Sequence, residues 1–169
     1  LIMKAISTNV WGRIAMVVLL TTILVFGGTS AAHAAEVQTD GIISASETID
    51  DDVLLTGNTI RVDGTVNGIL LATGGTVTIN GTINGDAFLF GERITLNEGS
   101  VITGNLFVGA SNISIDATVL GSVFTGGNSL VLGDVASVTR NVYFGGYSLE
   151  TASGSSIGTD LLAGGYQLI

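Results

Sequence analysis

The chain has 169 residues, 25 Gly, no Pro and no Cys, and only 11% of it is charged. Five Lys and Arg against 14 Asp and Glu give a net charge of −9, which argues against nucleic acid and anionic lipid surfaces as partners. Zero Cys excludes a disulfide framework, a thiolate zinc site and a cysteine nucleophile, and His33 is the only histidine.

Residues 1–35 read as an address. Met3 is the expected start, behind Leu1 and Ile2. Lys4 and Arg13 form a basic region, and Ile14 to Phe26 is an apolar core. That core is shorter than the roughly 20 residues a membrane span needs. Small residues follow, and Ala32-His33-Ala34 fits a cleavage site. The reading is a cleaved signal helix with a mature N-terminus at Ala35 or Glu36; the alternative is an uncleaved anchor. Either way the rest is exported, as a periplasmic, cell-surface, extracellular or membrane-anchored protein. The exported part carries three Arg and all 14 acids, a net charge of −11, and no histidine.

Residues 36–51 are expected to be a lead-in or cap, and residues 52–169 a repeat. Rungs start at Asp52, Ile69, Asp86, Asn105, Ser122 and Asn141, with a stub from Asp160; the steps between starts are 17 or 19 residues. The two-residue additions fall in the second half of a rung, where a solenoid tolerates insertion. Each rung holds three short apolar segments separated by Gly, Asn and Asp, and none shows helical periodicity. Strands of two to four residues cannot fold alone. They can when each rung stacks about 4.8 Å above the last, with the backbone paired in three parallel sheets.

Stacking then lines up like residues. Val62, Ile79, Leu96, Ile115 and Leu132 form one inner ladder. Leu55, Ala72, Leu89, Val108, Thr125, Phe144 and Ala163 form a second, and Val66, Ile83, Val101, Val119, Val138 and Ile157 a third. Asp63, Asn80, Asn97 and Asp116 mark a corner whose turn dihedrals Asn and Asp tolerate. Gly57, Gly74, Gly91, Ala110, Gly127, Gly146 and Gly165 mark another, where small size or positive φ is wanted. The fold expected is all-β, a three-sided parallel β-helix of six rungs and a stub. The pattern leaves handedness open, and a left-handed hexapeptide helix is the competing form.

The recurring turn pair, short apolar strand, small residue and alternating strand, followed by Asp63-Gly64-Thr65-Val66-Asn67-Gly68 or Asn80-Gly81-Thr82-Ile83-Asn84-Gly85-Asp86, resembles the bactofilins. These are polymer-forming bacterial cytoskeletal proteins, and the likeness covers about residues 50–169. It implies a right-handed, triangular β-helix whose ends stack into nonpolar filaments without nucleotide. The export signal departs from that family, whose members are typically cytoplasmic. The repeat also stops within a rung at Gln167-Leu168-Ile169, so a longer protein with further rungs or a membrane segment is expected.

Candidate chemistry is sparse, and the chain is read as not an enzyme and without a cofactor. A left-handed-helix acyltransferase needs a catalytic histidine. Arg61, Arg93 and Arg140 are isolated, and Arg61 reads as solvated decoration. Asp50, Asp51 and Asp52, with Glu47 near, are a weak calcium candidate against a plain reading as a charged cap. One feature exceeds a bland coil. Leu54, Leu71, Phe88, Phe107, Phe124, Tyr143 and Leu162 should point outward in register, forming a lateral stripe of the kind that marks an interface.

The function expected is a structural, self-assembling protein of the cell envelope, its partner another copy of itself. Val53, Leu55, Ile60 and Val62 at one end, and Leu161 and Leu168 at the other, are the expected assembly residues. The rival readings are a module binding cell-wall polysaccharide and the ectodomain of a longer membrane protein.

Overall fold

The computed structural model describes residues 36–38 and 41–169. The signal segment 1–35, with His33, lies outside the described residues. The rest is an all-β parallel solenoid of about seven rungs, with no helix among the described residues.

The strands in chain order are β1 (Glu36–Gln38), β2 (Ile42–Ile43), β3 (Thr48–Ile49), β4 (Val53–Val62), β5 (Thr65–Val66), β6 (Leu70–Ile79), β7 (Thr82–Ile83), β8 (Ala87–Leu96) and β9 (Val101–Ile102). They continue as β10 (Leu106–Ile115), β11 (Thr118–Val119), β12 (Val123–Leu132), β13 (Ser137–Val138), β14 (Val142–Thr151), β15 (Ser156–Ile157), β16 (Leu161–Gly164) and β17 (Gln167–Leu168). Ten-residue and two-residue strands alternate, and each pairs in parallel with its equivalents in the rungs before and after. The six ten-residue strands, with β1, β2, β16 and β17, make a 10-stranded sheet, and the other two-residue strands make a 7-stranded sheet.

This corrects the expectation of three sheets built from separate strands. The first two apolar segments of a rung belong to one strand that bends without ending. In β4, Val53 and Leu55 are buried, then Ile60 and Val62; the inward parity shifts by one residue across the exposed stretch Gly57-Asn58-Thr59. Gly57 and Thr59 keep their partners Gly74 and Thr76, so the sheet carries its pairing around the corner. The glycines there do not adopt positive φ; among the described residues only Gly41 (71°) and Gly99 (86°) do. Their use is close approach. A Cβ on Gly74, Gly91 or Gly127 would press on the carbonyl oxygen of the rung before.

The inner ladders form the core. Val62, Ile79, Leu96, Ile115 and Leu132 are stacked neighbours and fully buried. Leu55, Ala72, Leu89, Val108, Thr125 and Phe144 also stand in register and buried, with Ala163 next. Buried Thr125 donates to the Tyr143 carbonyl at 3.1 Å, so its hydroxyl is satisfied. The third ladder needs one correction. Ile102, not Val101, lies beside Ile83 and is fully buried, while half-buried Val101 pairs with Thr82.

The reason is where extra residues go. Each longer rung closes a turn directly after the long strand ends. Ser100 N–H donates to Asn97 O at 3.1 Å, Ala136 to Gly133 at 3.1 Å and Ser155 to Ala152 at 3.0 Å. The additions thus share one corner, and Ile102 is displaced by the turn that precedes it. Glu47 N–H donates to Ser44 O at 2.9 Å in the same way.

That last turn belongs to the expected lead-in, residues 36–51, whose described residues pair as a further rung. Glu36 pairs with Val53, Ile42 with Arg61, Ile43 with Val62 and Ile49 with Val66. Ile43 and Ile49 continue the apolar core.

Candidate functional site

The predicted stripe is present, and its register is continuous. Leu54, Leu71, Phe88, Phe107, Phe124, Tyr143 and Leu162 pair one after another across β4 to β16. Stacking one rung on the next forces their rings face to face. Centroid separations are 4.7 Å for Phe88–Phe107, 4.9 Å for Phe107–Phe124 and 4.8 Å for Phe124–Tyr143, with planes within 10° of parallel. These distances equal the spacing of paired strands, so the backbone ladder sets the stack. Leu54, Phe88, Phe107 and Tyr143 are half-buried by their neighbours, whereas Leu71, Phe124 and Leu162 are exposed at 38%, 37% and 66%.

The stack is one wall of an open groove of about 820 Å³ that the sequence reading missed. Its floor is the next outward column along the strands, where Gly126, Gly145 and Gly164 carry no side chain. A Cβ on Gly145 or Gly164 would meet nothing within 4 Å. Phe90, exposed at 44%, occupies the same column two rungs earlier and joins the lining. The column Phe90, Gly109, Gly126, Gly145, Gly164 was readable two residues beyond the stripe, but its signal is the lack of side chains. A second aromatic pair, Tyr147 and Tyr166, stacks at 5.2 Å on exposed positions nearby in the chain.

The corners are laced by side-chain amides. Asn80 Nδ2 donates to Asp63 Oδ1 at 2.5 Å, and Asn97 Nδ2 to Asn80 Oδ1 at 2.6 Å. No non-glycine residue among those described has positive φ, so this corner holds by hydrogen-bonded ladders rather than unusual turn dihedrals. Arg61 adds its Nε–H at 2.9 and 2.7 Å to the two oxygens of Asp63. The hydrogen bonds from Arg61, then Asn80, hold the Asp63 carboxyl below its ordinary value, and the Arg61 guanidinium is raised in turn. Arg61 is therefore a corner clasp, though its side chain is 59% exposed.

The calcium candidate does not assemble. Asp50 accepts from Asn67 Nδ2 at 2.5 Å, Asp51 from the Asp52 N–H at 2.8 Å, and Asp52 from the Ile69 N–H at 2.7 Å. The three carboxylates take separate partners, and among the described residues no three His, Cys, Asp or Glu gather as metal ligands would. With a rung before them, they are not a terminal cap either.

The assembly residues divide. Val53, Leu55, Ile60 and Val62 are buried under the rung that begins at Glu36, so they do not form an exposed end. Leu161 and Leu168 are exposed at 44% and 55%, on β16 and β17, which pair with β14. Comparison of the chain with protein-family models, with curated proteins and with solved structures finds no match.

Proposed function

We propose that this chain is a structural, self-assembling protein of the cell envelope, a bactofilin-like, right-handed, three-sided β-helix that polymerises by end-to-end stacking. One observation carries the reading: every rung pairs with the next through the same strands in the same register. A surface that pairs with its own likeness on one side is a template for a further copy on the other. The apolar ladders supply the burial that such a joint needs, and no reactive group is required. At the β16–β17 edge Leu161 and Leu168 are the contributors. At the opposite edge the backbone of β1, β2 and β3 takes the part that Val53 to Val62 were expected to play.

Polysaccharide binding is less well supported. Sugars stack on aromatic faces, and here the faces of Phe107 and Phe124 are each covered by rings on both sides. Electron microscopy and light scattering of the exported chain across a concentration series test the proposal. Filaments that disappear in Leu161→Lys and Leu168→Lys support it, and monomers at every concentration defeat it. A pull-down on peptidoglycan, with binding but no filaments, favours the rival.

A further inference from the structure

Three Asn-Gly pairs lie at the corners of the solenoid: Asn67-Gly68, Asn80-Gly81 and Asn84-Gly85. In this dipeptide the glycine nitrogen reaches the preceding side-chain amide with no Cβ in the way. The dipeptide is the same in all three, so the surroundings decide which one reacts.

Asn80 is the most restrained. It is half-buried, donates to Asp63, accepts from Asn97, and its partner Gly81 donates its N–H to Val62 O at 3.0 Å. Asn67 is exposed but held on both sides, donating to Asp50 and accepting from Asn84 Nδ2 at 2.7 Å. Asn84 ends that ladder. It is exposed, and among the described residues its side chain makes only the bond it donates to Asn67. The N–H groups of Gly68 and Gly85 make no hydrogen bond among the described residues, unlike that of Gly81.

We propose that Asn84 is a site of spontaneous deamidation in the folded chain, with Asn67 slower and Asn80 protected. The Gly85 nitrogen attacks Cγ of Asn84. The new N–C bond forms as the Cγ–Nδ2 bond breaks, and Nδ2 leaves as ammonia carrying the proton that Gly85 gives up. Water then opens the five-membered imide at either carbonyl, leaving an aspartyl or isoaspartyl residue at position 84. Either product removes the donor to Asn67 and places a new negative charge in the ladder that ends on Asp50. The isoaspartyl form also adds a methylene to the backbone just before β8.

Peptide mapping by mass spectrometry, on native protein held at mildly alkaline pH, tests this ranking. The same chain in urea is the reference, where the three pairs should convert at similar rates. In the native chain Asn84 should convert roughly threefold to tenfold faster than Asn80, the factor expected for a net ladder hydrogen bond that must first break. Asn84→Gln should abolish the product at that position and leave slow conversion at Asn67. Conversion of Asn80 first, equal rates at all three sites in the native chain, or no native conversion while the urea sample reacts would each overturn the assignment.

Discussion

Phe107 and Phe124 lie face to face, with ring centroids 4.9 Å apart and planes inclined by 7°, because residues 17 apart in the chain occupy the same place on successive rungs. Phe107 also stacks on Phe88 at 4.7 Å, so it sits between two rings. Phe107→Ala should therefore cost more than about 1–3 kcal/mol, which two stacked pairs at about 0.5–1.5 kcal/mol each supply before the lost burial of the ring is added. Phe107→Leu, which keeps apolar bulk but loses the stacking, should fall between. Urea unfolding followed by near-ultraviolet circular dichroism checks both.

Gly145 and Gly146 are adjacent and should respond in opposite ways. A Cβ on Gly145 meets nothing within 4 Å, so Gly145→Ala should be neutral or stabilise by up to about 1 kcal/mol. A Cβ on Gly146 would press on Gly127 O and lie 2.5 Å from Cζ of the buried Phe144 ring. Gly146→Ala should destabilise by about 1–3 kcal/mol, the usual cost of overpacking. Thermal melts of the two variants side by side decide it, and equal midpoints would contradict the close approach of rungs at that corner.

Asp63 makes stability depend on acid. Its folded-state value lies below its unfolded value of roughly 3.9, because Arg61 and Asn80 donate to its carboxylate. The contribution is thus complete above the unfolded value and is lost as pH falls through the folded one. The melting midpoint of the native chain should exceed that of Asp63→Asn at neutral pH, and the gap should close in acid. A gap that widens as pH falls would show the carboxylate to be unfavourable in the folded state.

Calcium should leave the molecule unchanged. Asp50, Asp51 and Asp52 are each engaged by a different donor and do not converge. Melting midpoints in calcium and in chelator should coincide, and Asp51→Ala should not separate them. Micromolar binding by calorimetry, lost in that variant, would overturn this.

The ladders were legible because a solenoid writes its contacts into the sequence at a fixed step. Val62, Ile79, Leu96 and Ile115 recur at 17 or 19 residues, and the stacking of rungs makes each the strand partner of the next. Legibility failed where matching residue types gave no signal. The first rung pairs Glu36 with Val53 and Ile42 with Arg61, unlike in type, and only Ile43, Thr48 and Ile49 match their partners Val62, Thr65 and Val66, too few to mark a rung by residue type. Val101 and Ile102 are both β-branched and apolar, and only the placing of the turn Asn97–Ser100 decides which points inward.

By itself the sequence determined the repeat, the columns of the two ladders on the long strands and the outward row of aromatics, since those follow from spacing and the alternation of side chains along a strand. Only the tertiary structure decided that one strand carries its pairing around the Gly57 corner, that the aromatic rings hide their faces in each other, and that side-chain-free Gly126, Gly145 and Gly164 open a groove beside them. Those features depend on how closely neighbouring rungs approach and on which atoms are missing there, and residue type along a single rung records neither.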